Sequence, residues 1–437
     1  MNPKSLLIFT FLTAMFTQVF SQNIELDFPK LSGATVWIYT FSGSRVDSIS
    51  ITLDNKGKAS LTLSPQNDYR GLAYLYIPNK GEGDFILAEK NLRITCPETQ
   101  FNAGMLQFPQ SEENAFLRYI FQRRGYLLEM QEWLQDGGEF KGEGFDELFE
   151  KMVTWNVRES LELEESIRNS PLYAARYMEL VIFMQRLYGA MMGLDVIEHE
   201  ALRNEMENYL NINALYHSGS LWTDVHTYYP GLFYGANSDL VQTAYAHSIL
   251  AAMQDLEEPV LTAFLGAALT VCERTNQQKA QEVMLQNFIM RYPTLPISDS
   301  KIRRMLKALT LNKGAQAPPI AGLSNPIAEP TILIFFEGNC NHCIYEIDWI
   351  IKHYQKLEEK GYRIVSISAD MQYDNYQFFA ATFPWDEVDR LCDFKGFQGE
   401  NFKNYGITGT PVIFVINEDN IIMDKHARMS ELFEFLF

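Results

Sequence analysis

Two cysteines separated by two residues, Cys340 and Cys343, form the group in this sequence best suited to chemistry. Thiols three positions apart on a helix lie about one turn from each other, so a disulfide can close between them with little backbone movement. A thiolate is the nucleophile in thiol–disulfide exchange, and a second thiol nearby can resolve the mixed disulfide that forms. The spacing therefore predicts a redox-active dithiol.

The residues around this pair predict a strand before it and a helix after it. Residues 331–336 (TILIFF) are continuously apolar, as in a strand at the buried centre of a sheet. Apolar residues recur at helical spacing through residues 343–360, and Gly361 follows as a helix stop. A helix N-terminus favours a thiolate through its free N–H groups and partial positive charge. We therefore assign Cys340 as the attacking thiol and Cys343 as the resolving thiol.

Other interpretations of the pair fit the sequence less well. A purely structural disulfide rarely lies where the surroundings favour a thiolate. A zinc site lacks a second CxxC or an HxxxH, and covalent haem requires histidine where Ile344 stands. His217 and His226, near Asp224, are nine residues apart and match no helical ligand spacing. We therefore expect no metal, and no cofactor beyond the disulfide of the pair.

Three further cysteines lie far from one another in sequence. Cys96 ends a predicted strand and Cys272 lies on an apolar helical face, so both are predicted core residues. Cys392 lies in LCD, between the second strand of its region and Pro411. A half-buried structural thiol is favoured there, with an auxiliary redox thiol as the alternative.

The region that contains the dithiol resembles the thioredoxin superfamily, in particular its TlpA-like extracytoplasmic branch. The resemblance rests on residues 313–318 (KGAQAP), the strand, residues 340–343 (CNHC) and residues 405–412 (YGITGTPV), in this order. It implies that Pro411 is a cis-proline beside the cysteines that shapes a substrate groove. It also implies that the backbone of Thr410 pairs with an extended substrate.

The sequence departs from the thioredoxin pattern at three places. Asn339 stands where thioredoxins carry Trp, and Ile334 stands where they place a buried Asp. The dipeptide Asn341-His342 replaces Gly-Pro and is expected to tune the pair. A His just before the second cysteine is found in oxidising members of the superfamily, where an imidazolium can stabilise the thiolate. The direction of electron flow stays open.

Two regions of different texture precede this domain. Short β-type runs between residues 35 and 95 predict a small β-sandwich over residues 23–108, with a hairpin around residues 54–58. Apolar residues at helical spacing predict an all-α domain over residues 109–312. Its position ahead of a CxxC domain resembles the DUF5106-type architecture of Bacteroidetes. The predicted fold is thus a multidomain one: all-β sandwich, all-α domain, then an α/β thioredoxin-like domain over residues 313–437.

The beginning of the chain predicts export. Residues 1–4 (MNPK) carry a positive charge, residues 6–20 are mostly apolar, and cleavage is expected after Ser21. The apolar run is short for a membrane helix, although an uncleaved anchor is the alternative. No later segment is apolar enough to span a membrane, so a soluble periplasmic or otherwise extracytoplasmic protein is expected.

Charge and the dithiol together define the expected function. The formal net charge is −19 over 437 residues and no basic cluster is present, which argues against a nucleic-acid partner. The predicted function is thiol–disulfide exchange with exported proteins, supported by a redox partner protein. The alternative is a non-catalytic envelope binding or scaffold protein whose thioredoxin-like domain is vestigial.

Overall fold

The computed structural model describes residues 22–63, 69–137, 145–193, 196–233 and 238–426, together with residues 428, 432 and 436. The predicted signal peptide and most of the predicted last helix, residues 430–437, lie outside the described residues. The chain divides into two compact units, Met1–Leu232 and Phe233–Phe437. The predicted domain boundaries after residues 108 and 312 stay predictions.

Seven strands of the first unit form the predicted β-sandwich. Their order is β4-β1-β7 in one sheet and β3-β2-β5-β6 in the other. The two sheets share one core, to which β1 contributes Ile24 and β2 contributes Val36. The strands are β1 (Asn23–Asp27), β2 (Thr35–Ser42), β3 (Arg45–Thr52), β4 (Lys58–Thr62), β5 (Gly71–Ile77), β6 (Gly81–Leu87) and β7 (Asn91–Thr95).

The prediction of a hairpin around residues 54–58 is wrong, because the strands on either side of this turn belong to different sheets. The turn itself is present: the Asp54 carboxylate accepts the backbone N–H groups of Lys56 and Lys58 at 2.8 and 2.7 Å. After the turn, β4 pairs with β1 while β3 pairs with β2. Gly57 makes this possible, since it has φ +75° and a Cβ there would lie 2.0 Å from the Phe28 carbonyl oxygen. The turn therefore crosses between sheets.

Helices follow the sandwich in the first unit. They agree with the prediction that helices follow residue 108, and three long helices precede three shorter ones. Asn211 caps the shortest of these, its side chain accepting the Ala214 N–H at 2.9 Å. The helices are α1 (Glu112–Gly137), α2 (Phe145–Asn169), α3 (Tyr173–Gly193), α4 (Val196–Asn208), α5 (Ile212–Tyr216) and α6 (Ser220–Tyr228).

The second unit begins with four helices and continues as an α/β domain. Its five-stranded sheet has the order β10-β9-β8-β11-β12, with β8 parallel to β9 and antiparallel to β11. The helices are α7 (Asp239–Ala252), α8 (Val260–Arg274), α9 (Gln278–Arg291), α10 (Ser300–Thr310), α11 (Asn341–Glu359), α12 (Tyr373–Ala380) and α13 (Glu400–Asn404). The strands are β8 (Thr331–Phe336), β9 (Arg363–Ser368), β10 (Arg390–Cys392), β11 (Val412–Ile416) and β12 (Ile422–His426).

Strand β8 is the centre of this sheet and is covered on both faces, as its apolar run predicts. All six of its residues are buried. Ile332 and Ile334 pack into the core on the α11 side, and Leu333 and Phe335 pack into the core on the opposite side. The strand therefore lies in the interior of the domain, and its carboxyl end leads to Cys340 at one edge of the sheet.

The segment before β8 also belongs to this domain. The Gly314 N–H donates to the Ile422 carbonyl at 2.7 Å, and the Ala317 N–H donates to the Asn420 carbonyl at 2.9 Å. Residues 313–318 are therefore joined to the β11–β12 connection and to β12. None of the described helices is long and apolar enough to cross a membrane.

Candidate active site

Cys340 is the N-cap of α11, the residue just before the first helical turn. Its backbone is extended, with φ −91° and ψ 111°, and its sulfur accepts the Cys343 N–H at 3.4 Å. A side chain in this position satisfies one of the free N–H groups of the helix and faces its partial positive charge. The residue is also partly exposed. Cys340 thus combines partial exposure with a position at a helix N-terminus.

Cys343 lies one turn further along α11 and is fully buried. Its exposed fraction is 0%, and it packs among the apolar residues between α11 and the sheet. Burial, with a further contribution from the thiol of Cys340, raises the pKa of Cys343 to about 12. Hydrogen bonds from Thr410 and from the Glu337 backbone lower this pKa, but by less than burial raises it. Burial therefore keeps Cys343 a protonated thiol.

The segment Thr410–Pro411 completes this site from the neighbouring strand. Val412 pairs with Phe335 across the antiparallel β11–β8 ladder, so the residues just before Val412 lie beside the carboxyl end of β8. The Thr410 carbonyl oxygen lies 3.9 Å from the Cys340 sulfur, and the Thr410–Pro411 peptide bond is cis. Both residues are partly exposed. The structure thus brings together four of the six residues that the sequence singled out.

The other two, Asn341 and His342, occupy the first turn of α11 with exposed side chains. Within the described part of the chain, neither side chain hydrogen-bonds to a cysteine sulfur. Asn339 is exposed as well. The rim of the site is therefore polar here, as expected from an Asn where thioredoxins carry Trp. Ile334 is completely buried in β8. No carboxylate occupies that strand position.

One further residue, Asp370, touches the turn that carries Cys340, and the sequence analysis missed it. Phe336 and Ser368 are paired in the parallel β8–β9 ladder, so the residues that follow each of them meet at the same edge of the sheet. There the Asp370 carboxylate accepts the Gly338 N–H at 3.1 and 3.2 Å. The signal in the sequence that could have revealed Asp370 was an acidic residue two positions after β9, the strand that runs parallel to β8.

The remaining cysteines lie where the sequence predicted them. Cys96 and Cys272 are buried, with exposed fractions of 0% and 1%, and burial raises the pKa of Cys272 to about 12. Cys392 is half-buried, and its thiol donates to the Asp370 carbonyl at 3.3 Å. All five cysteines are free thiols.

The two histidines considered as metal ligands bind backbone carbonyls through Nδ1. His217 contacts the Phe41 carbonyl oxygen and His226 contacts the Trp222 carbonyl oxygen, each at 2.7 Å. Among the described residues, no group of three or more His, Cys, Asp or Glu side chains could hold a metal ion.

Part of the chain that contains this site matches a known family. Residues 307–425 match the model of the AhpC/TSA family, and this range contains the dithiol and the Thr410–Pro411 segment. The C-terminal part of the chain is thus a thioredoxin-like domain of the AhpC/TSA type, and the family fits oxidoreductase chemistry. The comparison with curated proteins gives no match. The resemblance of the preceding helices to the DUF5106-type architecture stays a prediction.

Several solved structures are similar to part of the chain. A thioredoxin-like protein from Parabacteroides distasonis is 21% identical, with 29% of this chain and 95% of that chain covered and a TM-score of 0.26. The thioredoxin domain of a thiol-disulfide oxidoreductase from Bacteroides vulgatus is 21% identical, with 29% and 96% covered and a TM-score of 0.26. A thiol:disulfide interchange protein from Bacteroides sp. is 22% identical, with 29% and 89% covered and a TM-score of 0.25.

Proposed function

We propose that this protein is an exported thiol–disulfide oxidoreductase that exchanges disulfides with envelope proteins through Cys340 and Cys343. The observation that carries the proposal is the asymmetry of the two thiols. Cys340 is partly exposed and caps a helix N-terminus, whereas Cys343 is buried and donates its N–H to the Cys340 sulfur. One thiol is accessible to attack a substrate, and the other waits behind it to resolve the intermediate.

The exchange proceeds in two displacement steps. The Cys340 thiolate attacks one sulfur of a substrate disulfide, that S–S bond breaks, and the other substrate sulfur leaves as a thiolate. Cys343 then loses its proton and attacks the Cys340 sulfur, which closes the Cys340–Cys343 disulfide and releases the second substrate thiolate. Two electrons pass to the substrate, whose two thiolates take up protons. The reverse sequence oxidises a substrate dithiol, and no cofactor beyond the protein disulfide is required.

Substrate binding is assigned to the Thr410–Pro411 segment. Its partial exposure and the 3.9 Å contact between the Thr410 carbonyl and the Cys340 sulfur favour a peptide that lies along this backbone. An extended peptide can pair with exposed backbone groups, as in strand addition to a sheet. The partners are therefore exported proteins with thiols or disulfides, together with a redox protein that regenerates the dithiol.

An extracytoplasmic location follows from the first 21 residues. Their positive start and short apolar run are typical of a signal peptide. Fractionation of cells that express the full chain, followed by N-terminal sequencing, tests this part. Recovery of protein that begins at Gln22 in the extracytoplasmic fraction is the expected result, and uncleaved protein in the membrane fraction would contradict it.

Redox titration against glutathione tests the proposed exchange. The full chain should interconvert between dithiol and disulfide with a defined potential and should reduce or oxidise a model peptide disulfide. Cys340→Ser should abolish both, while Cys96→Ser should leave both intact. A wild-type pair that does not equilibrate would instead support the scaffold function with a vestigial dithiol.

A further inference from the structure

Asp370 is a buried carboxylate at the edge of the sheet where Cys340 emerges. Its exposed fraction is 3%, and its two oxygens accept the Gly338 N–H at 3.1 and 3.2 Å. The Ser368 hydroxyl donates to the same carboxylate at 2.6 Å. A backbone N–H and a hydroxyl thus both donate to this carboxylate.

The partners of this charge are neutral. A backbone amide and a hydroxyl satisfy the carboxylate, and none of the ion pairs in the described part of the chain includes Asp370. A buried charge is tolerated when it is hydrogen-bonded, but neutral donors leave its net charge in place. Its field therefore acts on neighbouring groups in a poorly screened environment.

Cys340 follows closely in the chain on the amide that Asp370 binds. Gly338 is two residues before Cys340, so the Cα atoms of these two residues are at most about 7 Å apart. The turn between them is short, because the Cys340 N–H donates to the Glu337 carbonyl at 3.2 Å. Asp370 thus holds one end of the turn while the first turn of α11 holds the other.

Gly338 permits this close approach. A Cβ at this position would lie 3.0 Å from one Asp370 carboxylate oxygen and 3.3 Å from the other. A side chain would therefore push the carboxylate away from the amide that it binds. The pairing of a glycine in the turn with a buried acid just after the adjacent strand indicates a built anchor.

We propose that Asp370 is a positioning residue of the dithiol site, whose carboxylate anchors the turn before Cys340 and whose negative charge opposes the Cys340 thiolate. The helix N-terminus stabilises that thiolate, and Asp370 offsets part of this effect. Because a less stable thiolate makes the reduced pair a better electron donor, Asp370 shifts the pair towards reduction of substrates. This inference rests on the proposed exchange function.

The test is equilibration of the full chain with glutathione at pH 7, for the wild type and for Asp370→Asn. The amide keeps the shape and an acceptor oxygen but removes the charge. We expect the equilibrium constant to shift roughly three- to tenfold towards a stronger oxidant, which is about 15–30 mV at about 30 mV per tenfold for a two-electron couple. Asp370→Glu retains the charge and should return the potential towards the wild-type value.

Asp393→Asn is the matched control. Asp393 is exposed, and its carboxylate accepts the Lys395 N–H at 3.0 Å, so the substitution removes the same charge from another backbone anchor. Since water and salt screen an exposed charge, the redox potential of the dithiol in Asp393→Asn should stay at the wild-type value. Gly338→Ala is a second variant for the case in which Asp370→Asn does not fold, and its displaced carboxylate should give a smaller shift in the same direction.

The outcomes separate this inference from the proposed function. A wild-type pair that fails to equilibrate with glutathione overturns the exchange function itself. A wild-type pair that equilibrates, with Asp370→Asn or Gly338→Ala at the same potential, overturns the role of Asp370 alone. Equal shifts in Asp370→Asn and Asp393→Asn would also overturn it, because the effect would then follow net charge rather than position.

Discussion

The first turn of α11 and the last turn of α8 each contain a buried cysteine, and these two cysteines resemble each other in burial and in pKa. Cys343 and Cys272 have exposed fractions of 0% and 1%, and burial raises the pKa of each to about 12. Neither thiol is reactive by itself at neutral pH. Burial and a raised pKa therefore do not distinguish a resolving cysteine from a core cysteine.

What differs is the neighbour of each thiol and the end of the helix where it lies. Cys343 contacts Cys340 at a helix N-terminus, which favours negative charge. Cys272 lies near a helix C-terminus, which disfavours negative charge, and the Glu273 carboxylate raises its pKa further. The chemistry of Cys343 is thus supplied by its partner and by the helix end that the two share.

The largest expected effect separates the roles of the two buried thiols. Cys343→Ser should accumulate mixed disulfides between Cys340 and substrate proteins, because the resolving thiol is gone. Cys272→Ser should accumulate none. Purification under acid quench, followed by non-reducing gels and mass spectrometry, measures the complexes. Trapping by Cys340→Ser would reverse the assignment of the attacking thiol.

Alkylation of the native, reduced protein compares the same sites by rate. At pH 8 a thiol with a pKa near 12 is almost entirely protonated, and burial hinders access to Cys343 and Cys272 as well. Iodoacetamide should therefore modify Cys340 first and leave Cys343 and Cys272 largely unmodified. Peptide mapping over time gives the three rates, with guanidinium-unfolded protein as the control in which they converge. Modification of Cys272 as fast as Cys340 would contradict the buried location.

Stability at high pH should show what the two buried thiols have in common. In the unfolded chain a thiol ionises near 8.5, whereas the folded pKa of Cys272 is about 12. The native state then holds a proton that the unfolded state has lost, so this contribution to stability is complete below about pH 8.5 and is lost as pH rises towards 12.

Urea unfolding of the wild type and of Cys272→Ala between pH 7 and 10 measures this loss. The difference in the free energy of unfolding should shrink by about 2 kcal/mol by pH 10, at about 1.4 kcal/mol per pH unit. Cys343→Ala should behave in the same way in protein kept reduced. A difference that is constant with pH would show that these thiols titrate alike in both states.

The smallest expected effect concerns His342 at the rim of the site. Its exposed side chain lies on the first turn of α11, just after the residue that caps this helix, Cys340. His342→Ala should make the potential more negative by about 10–30 mV, since the reduced pair loses a polar neighbour that can stabilise a thiolate. Equilibration of the wild type and the variant with glutathione measures the shift. Equal potentials would leave the imidazole without a tuning role.

Local patterns in the sequence were sufficient to predict the elements around the dithiol. The apolar run of β8 and the helical spacing of α11 each depend on residues close together in the chain, whereas the role of the Thr-Pro segment was implied by the family resemblance. Periodicity and composition over such short windows determine whether a segment forms a buried strand or an amphipathic helix. For this reason the positions of Cys340 and Cys343 at a strand-to-helix junction were predictable.

Local patterns did not decide which distant segments meet. Only the tertiary structure shows that Asp370 binds the amide of Gly338, which is 32 residues away. The contact of Thr410 with Cys340, which is 70 residues away, was implied by the family resemblance and not by a local pattern. The turn around residues 54–58 likewise satisfies its local hydrogen bonds, yet it joins strands of two different sheets. A local pattern determines the conformation of a segment, whereas strand pairing depends on which apolar faces pack together, and a sequence window contains no information about those remote partners.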